Sequence, residues 1–273
     1  MLRKLLKCEF KSTARTFGVV YLIMVVLCGL TGILDTVSQV ITVDSSISVT
    51  LLALTMLFLF AAVIITTVLN LNRFEKGVFK DEGYLLNTLP VRPWQIITSK
   101  LLPAVVWTIV TILMMELSLV LMVVCSREAD LADLFALIQD FLELISTVSP
   151  GGLLSYLIGF AQTCLMLLLL LITFILQVYA SISLGHLFGS HRTAWAVGIW
   201  FVLNWAQSTL FDLVMPTAHG ITGSLSYVYT FGEVVVSTDL ANSTLLQMLF
   251  YLVWAVIFWA VTQWVLSKKL NLE

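Results

Sequence analysis

The side chains able to do chemistry are few, and their spacing argues against catalysis. His186, His191 and His219 are scattered, and Cys8, Cys28, Cys125 and Cys164 show neither zinc-ligand nor disulfide-framework spacing. The chain has no HExxH zinc motif, no GxSxG nucleophile elbow and no GxxxxGK[ST] phosphate cradle. It is therefore not expected to be an enzyme or to hold a metal. More informative are the polar residues set within long apolar runs. Ser155, Gly159, Gln162, Met166, Thr173 and Gln177 fall within about 60° of arc at 100° per residue. Asn204, Gln207, Ser208 and Asp212 share a second face, and Glu116 stands alone in a third run. Such residues are costly in hydrocarbon unless they are paired or line a cavity. They could be a translocation path, with Gln162, Thr173, Gln177, Asn204, Gln207, Asp212 and Glu116 as candidates, or they could glue helices together.

The elements that carry them are membrane spans. Of 273 residues, 60% are hydrophobic and 11% charged, whereas soluble domains carry roughly a quarter charged residues. A helical span needs about 20 apolar residues, and six stretches qualify: 17–34, 47–69, 101–125, 150–180, 194–215 and 245–266. The expected fold is thus an all-α integral membrane protein with about six transmembrane helices. Pro150 and Pro93 suit first helical positions, since a helix start needs no backbone N–H there. The net charge of −2 gives no basic balance that would suggest nucleic acid.

Charge placement sets the expected topology. All the Lys and Arg except Arg127 fall on one face: Arg3, Lys4, Lys7, Lys11 and Arg15; Arg73, Lys76, Lys80, Arg92 and Lys100; Arg192; and Lys268 with Lys269. Cytoplasmic loops hold such an excess, so both termini are expected in the cytoplasm. Residues 1–16 lack the features of a cleaved signal peptide. They place Leu2, Leu5, Leu6 and Phe10 on one arc and the basic residues on the other, spoiled only by Glu9. This pattern reads better as an amphipathic interfacial helix than as charges that serve topology alone. Residues 267–273 would be a cytosolic tail.

Three connecting segments stand out. On the outside, 127–149 is acidic with apolar residues at helical spacing, and 216–243 is rich in Gly, Ser and Thr. On the inside, 70–100 is too long and too patterned for a turn. Its Glu82–Leu89 stretch can form a short helix that exposes Tyr84, Leu85 and Leu86 and ends at Pro90. Exposed apolar side chains there would either dock a partner or pack against the chain's own spans.

The runs Glu82-Gly83-Tyr84-Leu85, Thr88-Leu89-Pro90-Val91 and Ser99-Lys100-Leu101-Leu102 resemble the motif that follows the second span in ABC-2 type transporter permeases, the membrane subunits of bacterial ABC exporters. The resemblance extends over nearly the whole chain. It implies a basic interfacial N-terminal helix, six spans and a re-entrant outer segment between spans five and six. It also implies a cytosolic coupling helix at Glu82–Pro90, including Gly83, Tyr84, Leu85, Leu86, Thr88 and Leu89, seated on a separately encoded ATPase. That partner would carry the ATP and Mg, leaving no cofactor in this chain. The other expected partners are a second permease chain, identical or similar, and the lipid bilayer of a bacterial cell membrane. The cargo would be hydrophobic or amphipathic. The alternative from the residues alone is a secondary transporter or channel in which Glu116 and Asp212 carry protons or ions. A scaffold or intramembrane enzyme is less favoured, because no catalytic constellation is present.

Overall fold

The computed structural model describes residues 2–40, 45–79, 93–125, 139, 150–188, 191–221 and 238–268. Among these the chain is helical throughout, with no strand: α1 (Leu2–Val40), α2 (Ser45–Phe79), α3 (Pro93–Cys125), α4 (Pro150–Gly185), α5 (Arg192–Ile221) and α6 (Thr238–Lys268). Each contains a stretch long and apolar enough to cross a membrane, which is compatible with a multi-pass membrane protein. Pro93 and Pro150 open α3 and α4, at the N-terminal positions where a missing N–H costs nothing. Pro103 sits inside α3 without ending it.

The helices outrun the apolar stretches that mark them. α1 runs unbroken from Leu2 through the proposed interfacial segment into the first span. α2 continues ten residues past Leu69, because Phe74 and Val78 extend its buried face while Lys76 stays exposed. α3 starts eight residues before Leu101, with Ile96 and Ile97 buried. At 1.5 Å per residue, the 35 residues of α2 measure about 52 Å, well beyond a hydrocarbon core of roughly 30 Å. The whole run Glu82–Pro90, most of 127–149, and 222–237 within the outer segment 216–243 lie outside the described residues.

The chain forms two compact units. The first comprises Met1–Phe74 and Thr98–Ser146. Its core joins Phe17, Tyr21, Met24 and Cys28 of α1 with Leu59 and Ala62 of α2, and half-buried Trp107, Val110, Met114 and Met122 of α3 pack against them. Phe17 stacks on Trp107 with ring centroids 4.9 Å apart. A Cβ on Gly32 would lie 2.5 Å from the Met122 carbonyl oxygen, so only glycine lets α1 and α3 approach this closely. Leu22, Leu57, Phe60 and Leu113 point outward, as side chains facing acyl chains would.

The second unit comprises Glu75–Ile97 and Thr147–Glu273. α4 is its centre, with both α5 and α6 packed on it and touching each other only slightly. Ile175 through Ser181 of α4 are buried consecutively, on every face of the helix. Gly185 fixes the α4–α5 approach: a Cβ would lie 2.8 Å from the Ala196 backbone N. His191 turns the chain between them with φ of 55°, a left-handed conformation that non-glycine residues adopt mainly in turns. The end of α2 joins this unit through Phe79, stacked on His186 at 4.1 Å.

Candidate ligand site between α4, α5 and α6

Two of the polar positions on α4 and three on α5 converge on one cavity of about 250 Å³ in the second unit. α4 supplies Thr173 and Gln177, and α5 supplies Asn204, Gln207 and Ser208. Their convergence follows from helical geometry: 173 and 177 are one turn apart, as are 204 and 208, with 207 between, so each set faces the same way. The remaining wall is apolar, from Leu170, Phe174, Phe211, Phe250 and Tyr251. Phe211 meets Phe250 edge to face at 5.4 Å, and Phe250 meets Tyr251 at 5.7 Å and 89°, geometries that aromatic quadrupoles favour. No charged residue lines the cavity.

Hydrogen bonding divides the polar residues into two kinds. The single Thr173 hydroxyl proton is shared between Leu169 O of its own helix at 2.7 Å and Tyr251 O at 3.1 Å, which ties α4 to α6. Gln162, about three turns away on α4, donates to Thr244 Oγ1 and performs the same joining role. Gln177 and Gln207 differ. Gln177 is 5% exposed, and its Nε2 has no hydrogen-bond partner among the described residues; the buried Oε1 of Gln207 has none either. A buried polar group left unmet costs about 1–3 kcal/mol. Gln177 and Gln207 thus line the cavity while each keeps one amide atom buried and without a partner among the described residues. Ser183 Oγ and Trp200 Nε1 are similarly unmet elsewhere on α4 and α5.

The other candidates fall elsewhere. Asp212 is exposed on α5 and does not line the cavity. Glu116 belongs to the first unit, where it is exposed on α3 and makes no ion pair among the described residues. The side chain of Ser155 lies outside the described residues. The four cysteines are free, and no cluster of metal-ligating side chains occurs among the described residues.

Two features were missed in the sequence, and only the second left a signal there. Phe211, Phe250 and Tyr251 look in sequence like any aromatic residues in a span, because nothing in α6 marks which face meets α4. Glu9 had a signal of a different kind. It appeared as a blemish in a basic amphipathic helix, yet it accepts a hydrogen bond and ion pair from Lys100 Nζ and lies 3.7 Å from Arg73 Nη1. Lys100 is buried, its side chain only 6% exposed, and so needs a counter-charge. Phe10, assigned by periodicity to the apolar arc, lies 6.3 Å from the Trp107 ring and so faces α3.

No family model, curated protein or solved structure matches the chain.

Proposed function

We propose that the chain is the membrane subunit of an ATP-driven exporter in a bacterial cell membrane, moving a hydrophobic or amphipathic cargo with energy from a separately encoded ATPase. The observation that carries this reading is the position of the Glu82-Gly83-Tyr84-Leu85 and Thr88-Leu89-Pro90-Val91 runs, which fall between the second and third of six apolar helices. Basic residues flank these runs, and the chain lacks a phosphate cradle of its own. On this reading, closure of the ATPases on ATP pushes the segment Glu82–Pro90 and reseats the spans. A second permease chain completes the assembly. Exposed Glu116 supports that partner, since a carboxyl group within a span is costly until something covers or pairs it.

Docking through Tyr84 and Leu85 is the test. Large apolar anchors at an interface are each worth about 2 kcal/mol, so replacing one with Ala weakens ATPase binding by about thirtyfold and replacing both by up to about a thousandfold. Membrane insertion is unchanged, because no span is touched. Asp81→Asn, a rim charge, has a mild effect. A double variant that binds its ATPase and transports normally would overturn the coupling assignment. Topology is checked separately: cysteine at position 80 reacts with an impermeant reagent only from the cytoplasmic side, and cysteine at 133 only from outside.

A further inference from the structure

We propose that the cavity between α4, α5 and α6 is a binding site for a neutral amphiphile whose head carries both a hydrogen-bond donor and an acceptor, as a carboxamide does. Three observations define that ligand. Gln177 and Gln207 line the cavity and each holds a buried, unmet amide atom, Nε2 and Oε1, so amides that turn into the cavity on binding would gain an acceptor and a donor from one ligand. A carboxamide offers both within one planar group, whereas a pure hydrocarbon offers neither. Phe174, Phe211 and Phe250 supply an apolar wall for the body of the ligand. The absence of charged residues in the lining excludes an ionic head, because nothing there offsets its desolvation.

Size agrees with the chemistry. The cavity, about 250 Å³, exceeds the roughly 150 Å³ apolar cavity that accepts benzene and falls just below the roughly 300–1,000 Å³ of drug-sized pockets. A short acyl amide fits this range. Its way in is over Asn204 and Ser208, which are exposed while Thr173 and Gln177 lie buried behind them. Helix gluing alone does not account for the arrangement. Where this unit uses polar residues to join helices, at Thr173 and Gln162, the bonds are made, and at Gln177 and Gln207 they are not. That the ligand is the exported cargo rests on the export reading; binding itself does not.

The experiment uses the purified full chain without ATPase and a photoactivatable octanamide bearing a diazirine in its chain. Saturable labelling of α4–α6 peptides, displaced by unlabelled octanamide, is expected. Gln177→Leu and Gln207→Leu should each weaken labelling by about tenfold or more, because a site built to hydrogen-bond a ligand discriminates steeply when the bond is lost. Ser208→Trp, which fills the entrance and leaves both amides intact, should abolish it. Thr209→Val, on an exposed neighbouring position, should change nothing. Octanoate and a diazirine-bearing alkane should label weakly. Repeating the titration in lipid nanodiscs at fixed total octanamide distinguishes arrival from the bilayer, where labelling follows mole fraction in lipid, from arrival from water. Equal labelling by the alkane, or labelling indifferent to Gln177→Leu, Gln207→Leu and Ser208→Trp, would overturn the proposal. A chain that binds the amide yet recruits no ATPase would sink the export reading alone.

Discussion

The two units differ in how completely their buried polar groups are met. In the first, hydroxyls and amides close into made pairs: Tyr21 with Thr111 at 2.9 Å, Thr66 with Thr111 at 3.1 Å, Thr31 with Thr55 at 2.7 Å, and Trp107 Nε1 donating to Thr13 Oγ1 at 2.8 Å. In the second, α4 and α5 carry every buried side-chain atom left without a partner among the described residues: Gln177 Nε2, Ser183 Oγ, Trp200 Nε1 and Gln207 Oε1. Both units are built from apolar helices, so hydropathy does not separate them. The difference lies in whether polar side chains meet each other. Met pairs fix helix positions; unmet groups beside a cavity leave capacity for something else to bind. The first unit therefore reads as a scaffold, and the second as the unit that holds a ligand.

The largest effect should come from the scaffold's charged cluster. Replacing Glu9 with Leu leaves Lys100 buried without that carboxylate, and breaking a buried pair from one side costs about 3–5 kcal/mol. Thermal unfolding in detergent should show a large drop for Glu9→Leu and partial recovery when Lys100→Met is added. A Glu9→Leu variant as stable as the parent would mean that the cluster is not structural.

Next come the close helix approaches, one in each unit. Gly185→Val drives a side chain into the Ala196 backbone, and Gly32→Val does the same at the Met122 carbonyl. Backbone cannot yield as a flexible side chain can, so each should cost about 1–3 kcal/mol. Gly185→Val should also distort the neighbouring cavity and reduce octanamide labelling, while Gly32→Val should leave labelling intact. Equal loss of labelling in both would break the distinction between the units. Smaller still is Thr111→Val, which removes the hydroxyl shared by Tyr21 and Thr66. Interhelical hydrogen bonds in membranes average about 0.6 kcal/mol, so a loss of about 1 kcal/mol is expected.

The apolar stretches showed the number and order of the helices, because spanning length and apolar composition are local properties. Helix ends were less accessible. Phe74 and Val78 continue the buried face of α2 beyond the point where hydropathy falls, and the sequence does not show that other side chains cover them. Thr173, Gln177, Asn204 and Gln207 could be chosen as candidates from periodicity, since residues one turn apart share a face. Periodicity could not say that Gln162 would find Thr244 while Gln177 would find nothing, because that depends on which α6 residue stands opposite. Glu9 shows the same limit: its helix made it an exception, and Lys100, 91 residues away, together with Arg73, explains it.

The contrast between made and unmet pairs can be measured most directly by comparing Gln177→Leu with Thr111→Val in thermal unfolding of the ligand-free protein. Leu is close to Gln in shape and carries no unmet donor, so removing an unsatisfied buried amide should leave stability unchanged or raise it. Thr111→Val should lower it. If Gln177→Leu destabilises as much as Thr111→Val, Gln177 is joining helices, and the second unit holds no vacant hydrogen-bonding site.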